Sequence, residues 1–256
     1  MSAADRFAEE ITTAATAMHA VHLLLAGASP DSTAGVGIQD PSYLAHALTN
    51  LRHATAEVEF IAHTLHRRTV DAASHDAYPT ALREQLTALD SNLRNAHWHV
   101  HNTWRVLCRT EEHGTAIKAA TRGTPGTVTA LADRFARDTT TTTNALAAAH
   151  TILAGLSQDY YGGRAVLYAA ILLHAVSTLR EVTATLAVTL RVLRRHVSHA
   201  ANSANWPDRV RDRATALAED LTVATNAARG TVRFWQYLEH QALDIRQATQ
   251  GIAFTL

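Results

Sequence analysis

The chain has 256 residues, 23 basic and 23 acidic side chains, 16 histidines and a formal net charge of zero. That balance excludes a strongly basic nucleic-acid binder, and an apolar share of 47% with 18% charged residues excludes a disordered chain. Cys108 is the sole cysteine, which excludes an intramolecular disulfide and any cysteine-based zinc cluster. A single lysine, Lys118, among the 23 basic residues, with abundant Ala and Thr, is the codon skew of a GC-rich genome. Such a genome also enriches histidine, so the histidine count by itself carries little chemistry. The opening MSAADRFAEE is acidic and lacks an apolar core region, so no signal peptide is expected. The most apolar stretch, Val166–Leu190, is broken by His174, Arg180 and Glu181, so no membrane span is expected. Together these features point to the cytoplasm.

In chain order, Ser2 stands three residues before Asp5, a relative of the capping box, and predicts a helix to Ala26. Gly27 then offers the left-handed position that ends it. The segment Ala28–Gln39 is rich in Gly, Ser, Pro and Asp and reads as a loop. Asp40-Pro41 is a cap and first-turn pair for a second helix to about Arg68. Tyr78-Pro79 opens a third helix that runs at least to Glu112, has Gly114 near its end, and extends toward Arg122. Helices over Gly126–Leu156, Ala165–Ser198 and from Trp206-Pro207 toward Gln250 follow. Within them the apolar residues alternate steps of three and four: Leu44, Leu48, Leu51, Thr55, Val58, Ala62 and Leu65 in the second helix, Leu172 to Val197 in the fifth. That spacing makes one seam facing antiparallel neighbours.

The order of elements is the same twice over. At an offset of 128 residues, Ala4-Asp5-Arg6-Phe7-Ala8 returns as Ala132-Asp133-Arg134-Phe135-Ala136, and Leu51-Arg52 returns as Leu179-Arg180. Pro79 falls on Pro207 and Arg83 on Arg211, and about a third of paired positions are identical. The expected fold is all-α: a tandem duplication of a three-helix unit, residues 1–123 and 124–256, forming an elongated six-helix bundle with one continuous core and a pseudo-twofold axis. The second helix of each unit is apolar on more than one side and is expected at the centre.

Positions matched in both copies select candidate functional residues, because drift need not repeat. Only two histidine pairs survive, His22 with His150 and His46 with His174. Asp31 and Asp159 recur in the loops between them. An antiparallel hairpin gathers His22, Asp31 and His46 at one end, where they can hold a metal or small ligand or orient an imidazole. The competing reading has the histidines bonded to loop carbonyls and the aspartates in Asx-turns. A second matched set is cationic: His63, His66, Arg67 and Arg68 close the second helix, Arg191, Arg194, Arg195 and His196 close the fifth, and Arg83 and Arg211 open the helices that follow. These are expected at one end of the body, as helix-dipole compensation or as a site for an acidic partner or phosphates.

His97 and His101 stand at i,i+4, a spacing that chelates a metal on one helix face. The run His97-Trp98-His99 resembles the ferritin-like Dps proteins superficially, but no carboxylate pattern follows it. His46, His97 and His101 are similar to the one-histidine-plus-HxxxH arrangement of DinB-type helical metalloenzymes in spacing alone. No nucleophile motif or phosphate-binding glycine loop is present. The expected function is therefore a non-enzymatic helical protein that binds a protein partner or itself, with no cofactor. The alternatives are a histidine-dependent metal or small-ligand protein, perhaps an enzyme, and a nucleic-acid accessory protein using an arginine-rich end.

Overall fold

Alanine, leucine and arginine fill the runs between the Pro- and Gly-bearing segments, and all three are strong helix formers. The computed structural model describes residues 3–27, 41–74, 78–121, 130–155, 164–202 and 206–250, and no strand occurs among them. The chain is an all-α bundle of α1 (Ala3–Gly27), α2 (Pro41–Ala73), α3 (Thr80–Ala120), α4 (Ala130–Gly155), α5 (Arg164–Ala201) and α6 (Asp208–Gln250). The loops holding Asp31 and Asp159 lie outside the described residues.

The two tyrosine- or tryptophan-proline pairs open helices as expected. Pro79 caps α3 with φ −55°, and its carbonyl accepts the N–H groups of Leu82 and Arg83 at 3.0 Å. The Pro207 carbonyl accepts those of Val210 and Arg211 at 2.8 and 3.1 Å. Tyr78 and Trp206, just before these prolines, pack against the core. The α2 end lies beyond expectation, and the α3 end falls within the expected reach toward Arg122. α2 continues past Arg68 to Ala73, and α3 runs through Gly114 to Ala120. Gly114 is not a terminator. It is buried, and a Cβ there would meet Leu48 Cδ1 at 2.7 Å, so its missing side chain lets α2 and α3 approach.

Side-chain contacts set the directions. α2 and α3 are antiparallel (Arg52 to Glu111, His66 to Asp90), as are α3 and α6 (Asn92 to Gln241, Arg109 to Asp220). α5 and α6 are antiparallel too, with Arg180 on Glu239 and Leu173 sharing a groove with Leu243. By contrast α4 runs parallel to α2, with Asn50 bonded to Thr139 and Arg68 to the Ala154 carbonyl. α1 runs parallel to α5, with Ala8 beside His174 and Leu25 beside His196. α1 also packs on α4, and a narrow contact joins α2 to α5. The expected hairpin of the first two helices does not form, because α1 and α2 do not pack on each other. Each crosses to helices of the other half. α2 and α5 are central, run in opposite directions, and are covered on two sides.

Every residue of the α2 and α5 seams named above is buried, and the buried apolar side chains of all six helices make one cluster. Each fully buried Leu contributes about 1.5–3 kcal/mol. Among the described residues the buried polar side chains are threonines except for Asn50 and His196, and no charged Asp, Glu, Lys or Arg is among them. Helical geometry satisfies most of these hydroxyls: Thr55, Thr69, Thr183 and Thr225 donate to the carbonyl four residues back at 2.7–2.9 Å. Ile171–Ala201 is long and apolar enough to cross a membrane by length and composition, and 56% of its most apolar window is buried inside the bundle. The central position of α5, between α1 and α6, accounts for that apolarity.

The two buried or half-buried helical glycines respond oppositely to a side chain. At Gly230 a Cβ meets His99 Nδ1 at 3.5 Å, an ordinary contact. Gly230→Ala is expected to stabilise by about 0.5–1 kcal/mol, and Gly114→Val, pressing on Leu48, to destabilise by about 1–3 kcal/mol. Urea denaturation midpoints of the two variants measure this, and a stable Gly114→Val protein contradicts the close approach of α2 and α3.

Candidate functional site

The four matched histidines lie on four different helices, α1, α2, α4 and α5. His22 is on α1 and His46 on α2, helices that do not pack together, and Asp31 lies outside the described residues. His46 Nε2 lies 3.1 Å from Asn50 Nδ2, and Asn50 reaches Thr139 of α4 at 2.9 Å. His150 of α4 stacks on Phe60 of α2 with ring centroids 5.4 Å apart and lies 3.6 Å from Glu57. His174 of α5 has Nε2 3.4 Å from the Ala8 carbonyl of α1. Burial holds His22 below its ordinary value, with His19 adding to the effect, and pushes the Glu57 carboxyl up against the pull of His150 and His53. The His150 and His174 contacts join helices of one half to helices of the other.

The cationic set is also divided. Because α2 and α5 are antiparallel, His63, His66, Arg67, Arg68 and Arg83 lie at one end of the bundle. Arg191, Arg194, Arg195, His196 and Arg211 lie at the opposite end, so the expected single basic end does not exist. Several guanidinium groups go to helix termini: Arg68 donates to the Ala154 carbonyl at 3.4 Å and Arg209 to the Ala120 carbonyl at 3.2 Å. Both carbonyls lie in last turns, where a cation offsets the helix dipole. Arg211 pairs with Asp208, and Arg191, Arg194 and Arg195 are exposed. His196 is buried between α5 and α1, and burial lowers its pKa against an opposing hydrogen bond to the Leu25 carbonyl.

The densest chemistry lies on the α2–α3 surface. Glu59 on α2 has Oε1 2.8 Å from His101 Nδ1 and 3.6 Å from His97 Nε2, both on α3. His63, one turn along from Glu59, places its ring centroid 5.3 Å from that of His97. A further turn along, His66 Nδ1 meets Asp90 Oδ1 at 2.5 Å, and Arg94 holds the other Asp90 oxygen at 3.0 Å. Burial is the main cause that lowers His97, with Glu59 opposing it and His63 and His101 adding to it. Glu59 and Asp90 are not among the residues expected from sequence, because neither recurs as an acid at the 128-residue offset, where Ala187 and Ala218 stand. The positions matching Glu59, His63, His97 and His101 are Ala187, Arg191, Thr225 and Arg229. The readable signal was an i,i+4 acid–histidine pair ahead of an i,i+4 histidine pair.

An aromatic face lies around the corner, between α3 and α6. His99 stacks on Phe234 at 4.5 Å, Trp98 stands edge-on to His99 at 4.8 Å, and Tyr237 follows one turn from Phe234. Trp98 and Tyr237 are 59% and 67% exposed. Burial lowers the His99 pKa, which favours an uncharged stack at neutral pH. On the far side of α6 an open groove of about 460 Å³ runs along α5 past His174, Glu239, His240 and Arg246. Three of its polar groups have partners: Glu239 is held by Arg180 at 3.2 Å, His240 Nδ1 lies 2.8 Å from the Gln236 carbonyl, and His174 lies 3.4 Å from the Ala8 carbonyl. Cys108 is half-buried, and burial pushes its thiol up, away from thiolate chemistry.

These pKa directions fix a pH response. His22, His97, His99 and His196 all bind protons more weakly in the fold than in the unfolded chain, whose ordinary value is 6.5. Their stabilisation is complete above that value and is lost as pH falls through the folded values. Glu57, with its raised carboxyl, works in the opposite sense in more acidic solution. The urea midpoint is expected to drop between neutral pH and about pH 5.5, and His99→Phe, which keeps a stacked ring, to shrink the drop; equal slopes in both proteins contradict it.

No protein-family model, curated protein or solved structure matches this chain.

Proposed function

We propose that this chain is a non-enzymatic, cytoplasmic helical-bundle protein that acts by binding protein, and that its α3–α6 aromatic face receives a second copy of itself. The observation that carries this reading is the exposure of Trp98 and Tyr237 beside the His99–Phe234 stack. Single exposed apolar residues are ordinary, but clustered aromatic rings are enriched where proteins meet and dominate the energy of such contacts. The zero net charge removes long-range repulsion between copies. Two antiparallel helices make a face that a twofold axis maps onto itself, the geometry of an isologous dimer.

Sedimentation velocity over a concentration series tests it. The parent is expected to be dimeric, and Trp98→Ala with Tyr237→Ala to be monomeric with unchanged helical content. A parent that stays monomeric throughout, or a variant that still dimerises, overturns the reading.

We also infer that residues 1–123 and 124–256 are copies of one three-helix unit related by a twofold axis. Supporting it, positions 128 apart are buried together: Phe7 and Phe135, Met18 and Leu146, Leu25 and Leu153, Leu93 and Leu221, Ile117 and Ile245. The neighbours also exchange, since α1 packs on α4 and α5 while α4 packs on α1 and α2. On this reading residues 1–123 expressed alone form a homodimer in which α1 of one copy covers α2 of the other. A folded monomer of that fragment contradicts it.

A further inference from the structure

We propose that Glu59, His63, His97 and His101 form a binding site for one divalent transition-metal ion of the zinc class, clamping α2 to α3. This site is separate from the aromatic face and does not depend on it. Residues four apart on a helix point the same way, so Glu59 and His63 on α2 confront His97 and His101 on antiparallel α3 as two facing pairs. One carboxylate with three imidazoles is a donor set that suits Zn²⁺.

The spacing already approaches what an ion requires. With metal–ligand distances of about 2.0–2.1 Å, tetrahedral geometry puts donor atoms about 3.3 Å apart and imidazole centroids about 5 Å apart. His97 Nε2 and Glu59 Oε1 are 3.6 Å apart, and the His63 and His97 centroids are 5.3 Å apart. Among the described residues no group of three donors is arranged to hold a metal ion as it stands, and Glu59 is instead bonded to His101 at 2.8 Å. Metal binding exchanges that hydrogen bond for two coordinate bonds. Solvent reaches the group, with the His101 side chain 40% and the Glu59 side chain 17% exposed. Trp104, its ring centroid 5.5 Å from that of His101, flanks the site. The other half carries Ala187, Arg191, Thr225 and Arg229 at these positions, so one ion per chain is expected.

Calorimetric titration of Zn²⁺ into the chelator-treated full chain tests the proposal. The expected result is one equivalent bound, with affinity falling as the pH drops below about 6.5, where protons compete for the imidazoles. His97→Ala and His101→Ala are each expected to weaken binding about tenfold or more, since loss of a ligand costs at least as much as loss of a supporting residue. Glu59→Gln, which preserves size, provides a third variant should either histidine change unfold the chain. His174→Ala, on another surface, is expected to bind as the parent does. No zinc bound by the parent, or parental affinity in the Glu59, His97 and His101 variants, overturns the site.

Discussion

The bundle depends on one constraint: α2 and α5 carry apolar side chains on more than one side and must be covered from two directions. Val182 and Ala187 of α5 are as buried as the Leu179–Leu186 seam beside them. A single neighbour buries only one stripe of a helix, so α3 or α6 alone leaves a second apolar face wet. The chain meets this need by sending α1 to α5 and α4 to α2. That crossing makes the halves interdependent, and it also turns the C-terminal ends of α2 and α5 toward opposite ends of the body.

Threonine tests the same core from the polar side. A hydroxyl in an apolar interior costs free energy unless it is bonded, and β-branching makes Thr a modest helix former. Here the i−4 carbonyl takes the proton at Thr55, Thr183 and Thr225, so a Thr-rich chain is buried without a separate polar network. Asn50 is the exception that does inter-helix work, joining α2 to Thr139 and receiving Thr143 on its carbonyl. With no Asp, Glu, Lys or Arg fully buried among the described residues, the titratable chemistry is pushed to the surface, where it is free to serve binding.

That surface is unequal between the halves. Many buried positions 128 residues apart are alike, as with Phe7 and Phe135 or Leu93 and Leu221, whereas Glu59, His63, His97 and His101 stand opposite Ala187, Arg191, Thr225 and Arg229. A filter that retains matched residues therefore selects for structure. Matching picks His150 and His174, which contact a neighbouring helix, and passes over Glu59, Asp90 and the Trp98–Phe234 face.

The sequence by itself determined the helices, their proline starts and the buried stripe of each, because periodicity and capping are local properties of a few successive turns. Leu44 through Leu65 and Leu172 through Val197 were both legible in this way. Helix pairing was not, since seams of Leu, Val and Ala are chemically alike and any can pack against any other. Only the tertiary structure decided that α1 avoids α2, that the arginine clusters part company, and that His63 meets His97 across a groove. Those outcomes follow from covering two double-faced helices at once, a requirement that no single segment of chain expresses.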